Sequence, residues 1–365
     1  GPGAIFWMWV VAFFGMMTNY SENVLGIYYR RRNSRGEWSG GAMYYLKDGL
    51  GSYKGCKQIG AVLAVLFSAF CLLASFGIGN MSQVNSIAAN MTSAFSIPAT
   101  VTGIVLVIIG ALVIVGGLKR IAAVTEKLVP FMAIAYVIGA LVIFFANIGH
   151  VGAVFTAIFK GAFGLRAVGG GIVGSGVKLA LTWGMKRGVF SNEAGLGTAP
   201  MAHAAATSAS PLVQASIGML DTFIDTIIVC TMTGFAILVT GQWTSGLTGA
   251  AMTSAAFETS LPGIGGIAVT ICLTFFAFTT ALGWCVYGER CAIYFFGDKA
   301  QIPFRIVYCI AIPVGVLTQL DVVWLLADTC NALMAIPNLI AILLLSPVLF
   351  KLVKEDESKD SIFKH

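Results

Sequence analysis

The sequence predicts an all-α fold, a polytopic bundle of helices with lipid for its solvent, on the strength of two observations. Of 365 residues, 58% are hydrophobic and only 10% charged, with a mean hydropathy of +0.88, where soluble domains carry roughly 25% charge. Apolar stretches long enough to span a bilayer, about 20 residues each, follow one another with short polar breaks between them. They read as a single transmembrane domain over 1–350, followed by a solvated cytoplasmic tail at 351–365.

Nine spans are predicted, at 4–28, 59–92, 100–117, 124–147, 168–206, 211–240, 263–288, 303–319 and 321–350. The fifth is too long and too rich in glycine for one regular helix, and the ninth contains Pro337, where a bend is expected. The alternate connections 29–58, 118–127, 289–305 and 351–365 carry 7, 3, 3 and 4 Lys plus Arg. On the other side, 148–167 carries two, while 93–99, 241–262 and position 320 carry none. The positive-inside preference then puts Gly1 outside and His365 inside a cell membrane that the chain crosses several times. Within 148–167, Phe155, Ile158, Phe159, Ala162 and Phe163 have helical spacing, which fits either a short interfacial helix or a packed loop helix.

Composition also excludes several function classes. The net charge of +6 is spread between apolar segments and forms no basic domain, so no nucleic-acid partner is expected. Cys71, Cys230, Cys272, Cys285, Cys309 and Cys330 lie inside apolar runs, where thiols act as small hydrophobes, and neither disulfides nor zinc is expected. There is no H-E-x-x-H, G-x-S-x-G or P-loop string. His150, His203 and His365 share no helical face. A membrane enzyme is not expected, and no catalytic residue or cofactor is assigned.

Polar groups at membrane depth are costly, so their positions carry most of the functional information. The richest group is Gly184-Met185-Lys186-Arg187-Gly188-Val189-Phe190-Ser191-Asn192-Glu193-Ala194-Gly195-Leu196-Gly197-Thr198 in the fifth span. Two half-helices joined by an extended stretch near 188–192 would suit this composition, with carbonyls and amides freed to meet an ion or a zwitterion. Ser191 or Asn192 would then cap the second half, with Glu193 in its first turn. The alternative is a loop at the inner face, which Lys186 and Arg187 would also suit.

Four further groups are candidates. Gln83, Ser86 and Asn90 share one face, lining a water-filled cavity or simply reaching the interface. Thr280 and Trp284 are four apart on one face, and Thr279 and Thr280 offer paired hydroxyls to a hard cation; each residue also has an ordinary structural reading. Asp221 and Asp225 share a face of the sixth span, and Asn19, Glu22 and Asn23 cluster near the inner end of the first.

At this point specific strings match a known family. Gly188-Val189-Phe190-Ser191-Asn192-Glu193-Ala194-Gly195-Leu196-Gly197-Thr198-Ala199-Pro200 resembles the signature of the alanine or glycine:cation symporters, also called sodium:alanine symporters. Gly1-Pro2-Gly3-Ala4-Ile5-Phe6-Trp7-Met8-Trp9, Gly40-Gly41-Ala42-Met43-Tyr44-Tyr45-Leu46 and Phe276-Ala277-Phe278-Thr279-Thr280-Ala281-Leu282-Gly283-Trp284 look like the same family. The resemblance implies a LeuT-like fold of two inverted repeats and a secondary active, sodium-coupled import of alanine or glycine by alternating access.

Carried over by position, the resemblance puts Gln83, Gly188, Val189, Phe190, Ser191, Asn192, Thr280 and Trp284 around the substrate. Thr279 and Thr280 fall where related folds take sodium ligands. The family pattern begins with two helices ahead of position 1, so the chain is expected to be truncated at its N-terminus, with the remaining sodium ligands in the missing part. Sodium enters as a co-transported ion. An ion channel or passive pore, and a proton-coupled amino-acid carrier that uses Asp221, Asp225 and Glu193, are the alternatives.

Overall fold

A computed structural model of the protein describes residues 1–33, 36–164, 172–208, 210–318 and 320–362. The expected start of the fifth span, 168–171, and the end of the tail, 363–365 with His365, lie outside the described residues. The described chain is helical almost throughout; its strands are two residues each, β1 Arg31–Arg32 and β2 Trp38–Ser39, paired antiparallel. Among the described residues, seven helices are long and apolar enough to cross a membrane, beside two shorter apolar ones. The protein is therefore an all-α polytopic membrane bundle.

Helix α1 (Gly3–Tyr28) leads into the β1–β2 hairpin and a buried connection: α2 (Ala42–Tyr44), a π-helical turn (Tyr45–Gly49) and a 3-10 turn (Leu50–Ser52). Then α3 (Lys57–Phe76) and α4 (Ser82–Phe95) form one long span joined by a π-helical turn, Gly77–Met81. Next come α5 (Ala99–Val115), α6 (Gly117–Ala146), α7 (Val151–Phe163), α8 (Ile172–Asn192) and the short α9 (Ala199–His203). A second span with a π-helical middle follows, α10 (Pro211–Thr222), Phe223–Cys230 and α11 (Thr231–Val239). The chain closes with α12 (Gly249–Ser260), α13 (Gly265–Phe296), α14 (Gln301–Leu317), α15 (Leu320–Leu344) and α16 (Ser346–Ile362).

Two connections differ from their expected form because helix continues through them. The corner between α5 and α6 is made by Gly116 and Gly117, the latter at φ 70°; Lys119, Arg120 and Lys127 therefore lie on α6 instead of in a loop. Within 241–262, α12 runs against α13. Its small, mixed residues gave no apolar stripe to read, and it is fixed by tertiary contact: Glu258 accepts the N–H groups of Gly263 at 2.6 Å and Gly266 at 2.8 Å, at the start of α13. Those two donors hold the Glu258 carboxyl below its ordinary range. Pro337 sits inside α15, which continues to Leu344.

The helices pack in two groups. Helix α1 lies against α7, α8, α9 and α10. Helix α3 lies against α13 and α15, α13 against α4, α6 and α12, and α14 against α5. The largest buried cluster fills the second group with Leu46, Phe67, Cys71, Trp284, Cys291, Met334 and their neighbours. Large side chains such as Phe13, Ile104, Phe131 and Leu343 stay exposed on the outside, where water would penalise them and lipid does not.

Candidate functional site

The glycines of α8 serve packing before they serve flexibility. A Cβ on Gly184 would lie 2.5 Å from Trp7 Cβ and 2.6 Å from the Ala4 carbonyl oxygen; one on Gly188 would lie 3.3 Å from Val11. Both residues let α1 and α8 approach closely, the small-residue packing that membrane helices favour. Helix α8 thus runs on through Gly188, Val189, Phe190, Ser191 and Asn192, and the departure from helix falls at 193–198. The expected register, 188–192, was earlier because glycine alone does not distinguish close packing from a turn.

Three residues in the interruption have left-handed backbones: Glu193 at φ 56°, Gly195 at 91° and Gly197 at 76°. Glycine takes this conformation freely, whereas a residue with a Cβ does so at a cost of about 1–2 kcal/mol. Glu193 is held there by local bonds. Its N–H still closes the last turn of α8 on Val189 at 3.0 Å, its carbonyl accepts from Leu196 at 3.0 Å, and its carboxylate accepts the Thr198 hydroxyl at 2.7 Å. Asn192 accepts the Ala194 N–H at 3.0 Å and donates to Thr226 at 3.0 Å, whose hydroxyl donates to Asp225 at 2.9 Å. The second helical piece starts at Ala199, so neither Ser191 nor Asn192 caps it.

The interruption borders a cavity of about 420 Å³. Ser191, Asn192 and Glu193 line it together with Thr279, Thr280, Gly283, Trp284 and Tyr287 of α13. Asn19 of α1, Asp221 and Asp225 of the span around Phe223–Cys230, Met132 of α6 and His203 of α9 also line it. Three carboxylates and no Lys or Arg are among its described lining, so its field favours cations. The hydroxyls of Thr279 and Thr280 donate to Phe275 and Phe276 carbonyls of their own helix, at 2.8 to 3.1 Å. Each oxygen keeps lone pairs for a cation. Trp284 is 1% exposed.

Gln83 does not reach this cavity. It lines a neighbouring one of about 230 Å³ with Ser86, Asn90, Phe190 and Trp324; Thr280 and Phe276 border both. Its amide donates to the Ile78 carbonyl at 3.1 Å, within the π-helical turn. Gly188 faces α1, away from both cavities, and Val189 packs against the main core. The sequence signal for Asp221 and Asp225 was their four-residue spacing; nothing in the sequence singled out Gly283 or Tyr287 beyond the helical face they share with Thr280.

Above the smaller cavity, side chains bridge α8 to α15. Arg187 lies 4.3 Å from the Trp324 ring centroid, the Phe190 ring lies tilted against Trp324 with centroids 4.9 Å apart, and Lys186 meets Asp328 at 3.4 Å.

The sodium:alanine symporter family model matches residues 1–362. The chain belongs to the sodium:alanine symporter family. Among its relatives, the sodium/alanine symporter AgcS of Methanococcus maripaludis is 46% identical over 99% of this chain and 80% of its own length. A transporter of Haemophilus influenzae without an assigned substrate is 46% identical over 97% of the chain and 77% of its own length. The amino-acid carrier protein AlsT of Bacillus subtilis is 37% identical over 100% of the chain and 77% of its own length. This symporter is accordingly a sodium-coupled amino-acid transporter and not an enzyme, and sodium is its co-transported ion.

Proposed function

We propose that the symporter imports alanine or glycine with sodium, by alternating access in a LeuT-like arrangement of inverted repeats. The observation that supports this most is the helix interruption at 193–198, which begins at a cavity that Glu193, Thr280 and Trp284 line together. A small zwitterion fits that pairing: its ammonium group is drawn to a cavity lined by carboxylates, and its short side chain meets Gly283 and the Trp284 ring. Ser191 and Asn192 contact the substrate in this reading, Phe190 and Gln83 belong to its approach, and Thr279 with Thr280 contribute oxygen to sodium. Gly188 and Val189 support the wall from behind.

Sodium suffices as the driver. One charge crossing 100 mV is worth about 2.3 kcal/mol, and at roughly 1.4 kcal/mol per tenfold that supports about fortyfold accumulation before any concentration gradient. The direct test is uptake of labelled alanine and glycine by vesicles carrying the complete gene product, with and without inward sodium. Sodium-dependent uptake, with exchange accelerated by unlabelled alanine inside, is expected; uptake indifferent to sodium would overturn the reading. Asp221, Asp225 and Glu193 favour one second reading, proton coupling; an inward proton gradient imposed without sodium separates it from the first.

We also propose that Gly1 lies outside the cell membrane and 351–365 in the cytoplasm, which the charge asymmetry supports. A cysteine placed at Lys354 should react with an impermeant maleimide only after cells are opened.

A further inference from the structure

The interruption is gripped from the side away from the cavity. Glu22, near the end of α1, is fully buried, and one of its oxygens, Oε1, accepts both the Gly197 N–H at 3.2 Å and the Asn338 side-chain amide. Asn338 of α15, equally buried, donates to the Gly195 carbonyl at 2.9 Å and accepts the Tyr45 hydroxyl. A Cβ on Gly197 would fall 2.8 Å from Phe67, 2.9 Å from Ala42 and 3.0 Å from Asn338, so the backbone itself presses against this network.

Peptide groups released from a helix within a bilayer find no water and must be satisfied by protein. The Gly195 carbonyl and the Gly197 amide are satisfied here by side chains from α15 and α1, which also bond each other. We infer that Glu22 and Asn338 are positioning residues: they fix the register of 193–198, and through it the placement of Asn192 and Glu193 at the cavity, without touching cargo. The bonds from Gly197 and Asn338 both end on Oε1. A glutamine whose amide oxygen replaces Oε1 keeps both bonds. Geometry, not charge, is what Glu22 supplies.

This inference rests on the interruption being the cargo site, and its test reads the turn separately from transport. Hydrogen exchange of the 193–200 backbone and sodium-driven uptake are measured on the complete gene product as wild type, Glu22→Gln and Glu22→Leu. Glu22→Gln should match wild type in both. Glu22→Leu should speed exchange in 193–200 about tenfold or more, the scale of leaving a buried donor without its partner, with α13 peptides unchanged and KM raised more than the maximal rate falls. Should Glu22→Leu fail to fold, Tyr45→Phe carries the test, with a smaller rise in the same peptide. Glutamine as damaging as leucine, or exchange in 193–200 unmoved by leucine and by Tyr45→Phe, would overturn the inference. If exchange behaves as expected while wild type moves no alanine or glycine, the positioning stands and the substrate reading falls.

Discussion

At Gly283 an added Cβ meets no atom within 4 Å, because this position looks into the larger cavity. Gly283→Ala should therefore fold normally while narrowing the cavity. Alanine uptake is expected to fall severalfold further than glycine uptake, and competition between the two labels reads this directly; an equal loss would place Gly283 off the path. Thr280 gives a second residue-scale case. Its hydroxyl bonds a carbonyl of its own helix, so Thr280→Val should leave folding intact and raise the sodium concentration for half-maximal uptake by about tenfold, the scale of one ion-dipole contact. Trp284 behaves otherwise. It is sealed into the main core, and truncating a buried Trp to Ala costs about 3–5 kcal/mol. Trp284→Ala should lose folded protein together with uptake, and Trp284→Phe, checked by size-exclusion profile and KM, isolates the transport effect. The Thr280 and Trp284 pair was legible in the sequence from its four-residue spacing, but the depth of Trp284 in the core was not, since that depends on α3 and α15 arriving from distant parts of the chain.

The elements show where reading a sequence succeeds and where it stops. Apolar length fixes α1, α6, α13 and α15 directly, because a span needs only its own residues to be recognised. The fifth span is harder. Its glycines serve two purposes in one stretch: Gly184 and Gly188 seat α8 on α1, and Gly195 and Gly197 turn the chain. Composition cannot assign which glycine does which. The division is testable, since Gly184→Val would drive a side chain into Trp7 and the Ala4 carbonyl. Loss of the monodisperse folded protein in detergent is expected for Gly184→Val, whereas Gly176→Val, at an open position, should remain folded.

For the whole molecule, the two packed groups meet around the cavities, and the side chains that join α8 to α15 cross from one to the other. The Lys186–Asp328 pair is half exposed, so it contributes only about 0–1 kcal/mol to stability. Its position matters more than its strength. If transport moves one group against the other, a flexible thiol-reactive bridge between cysteines at Lys186 and Asp328 should stop sodium-driven uptake, and a cleavable bridge should restore it on reduction; undiminished uptake in fully bridged protein would exclude such movement. The widened turns at Gly77–Met81 and Phe223–Cys230 have a consequence on another timescale. Each holds slack that one deleted residue would take up by closing the coil to ordinary pitch, with the flanking helical turns left in place. Loss of a single codon, ruinous in most bilayer-crossing rods, would at these two places be absorbed within one turn and spare the rest of the scaffold.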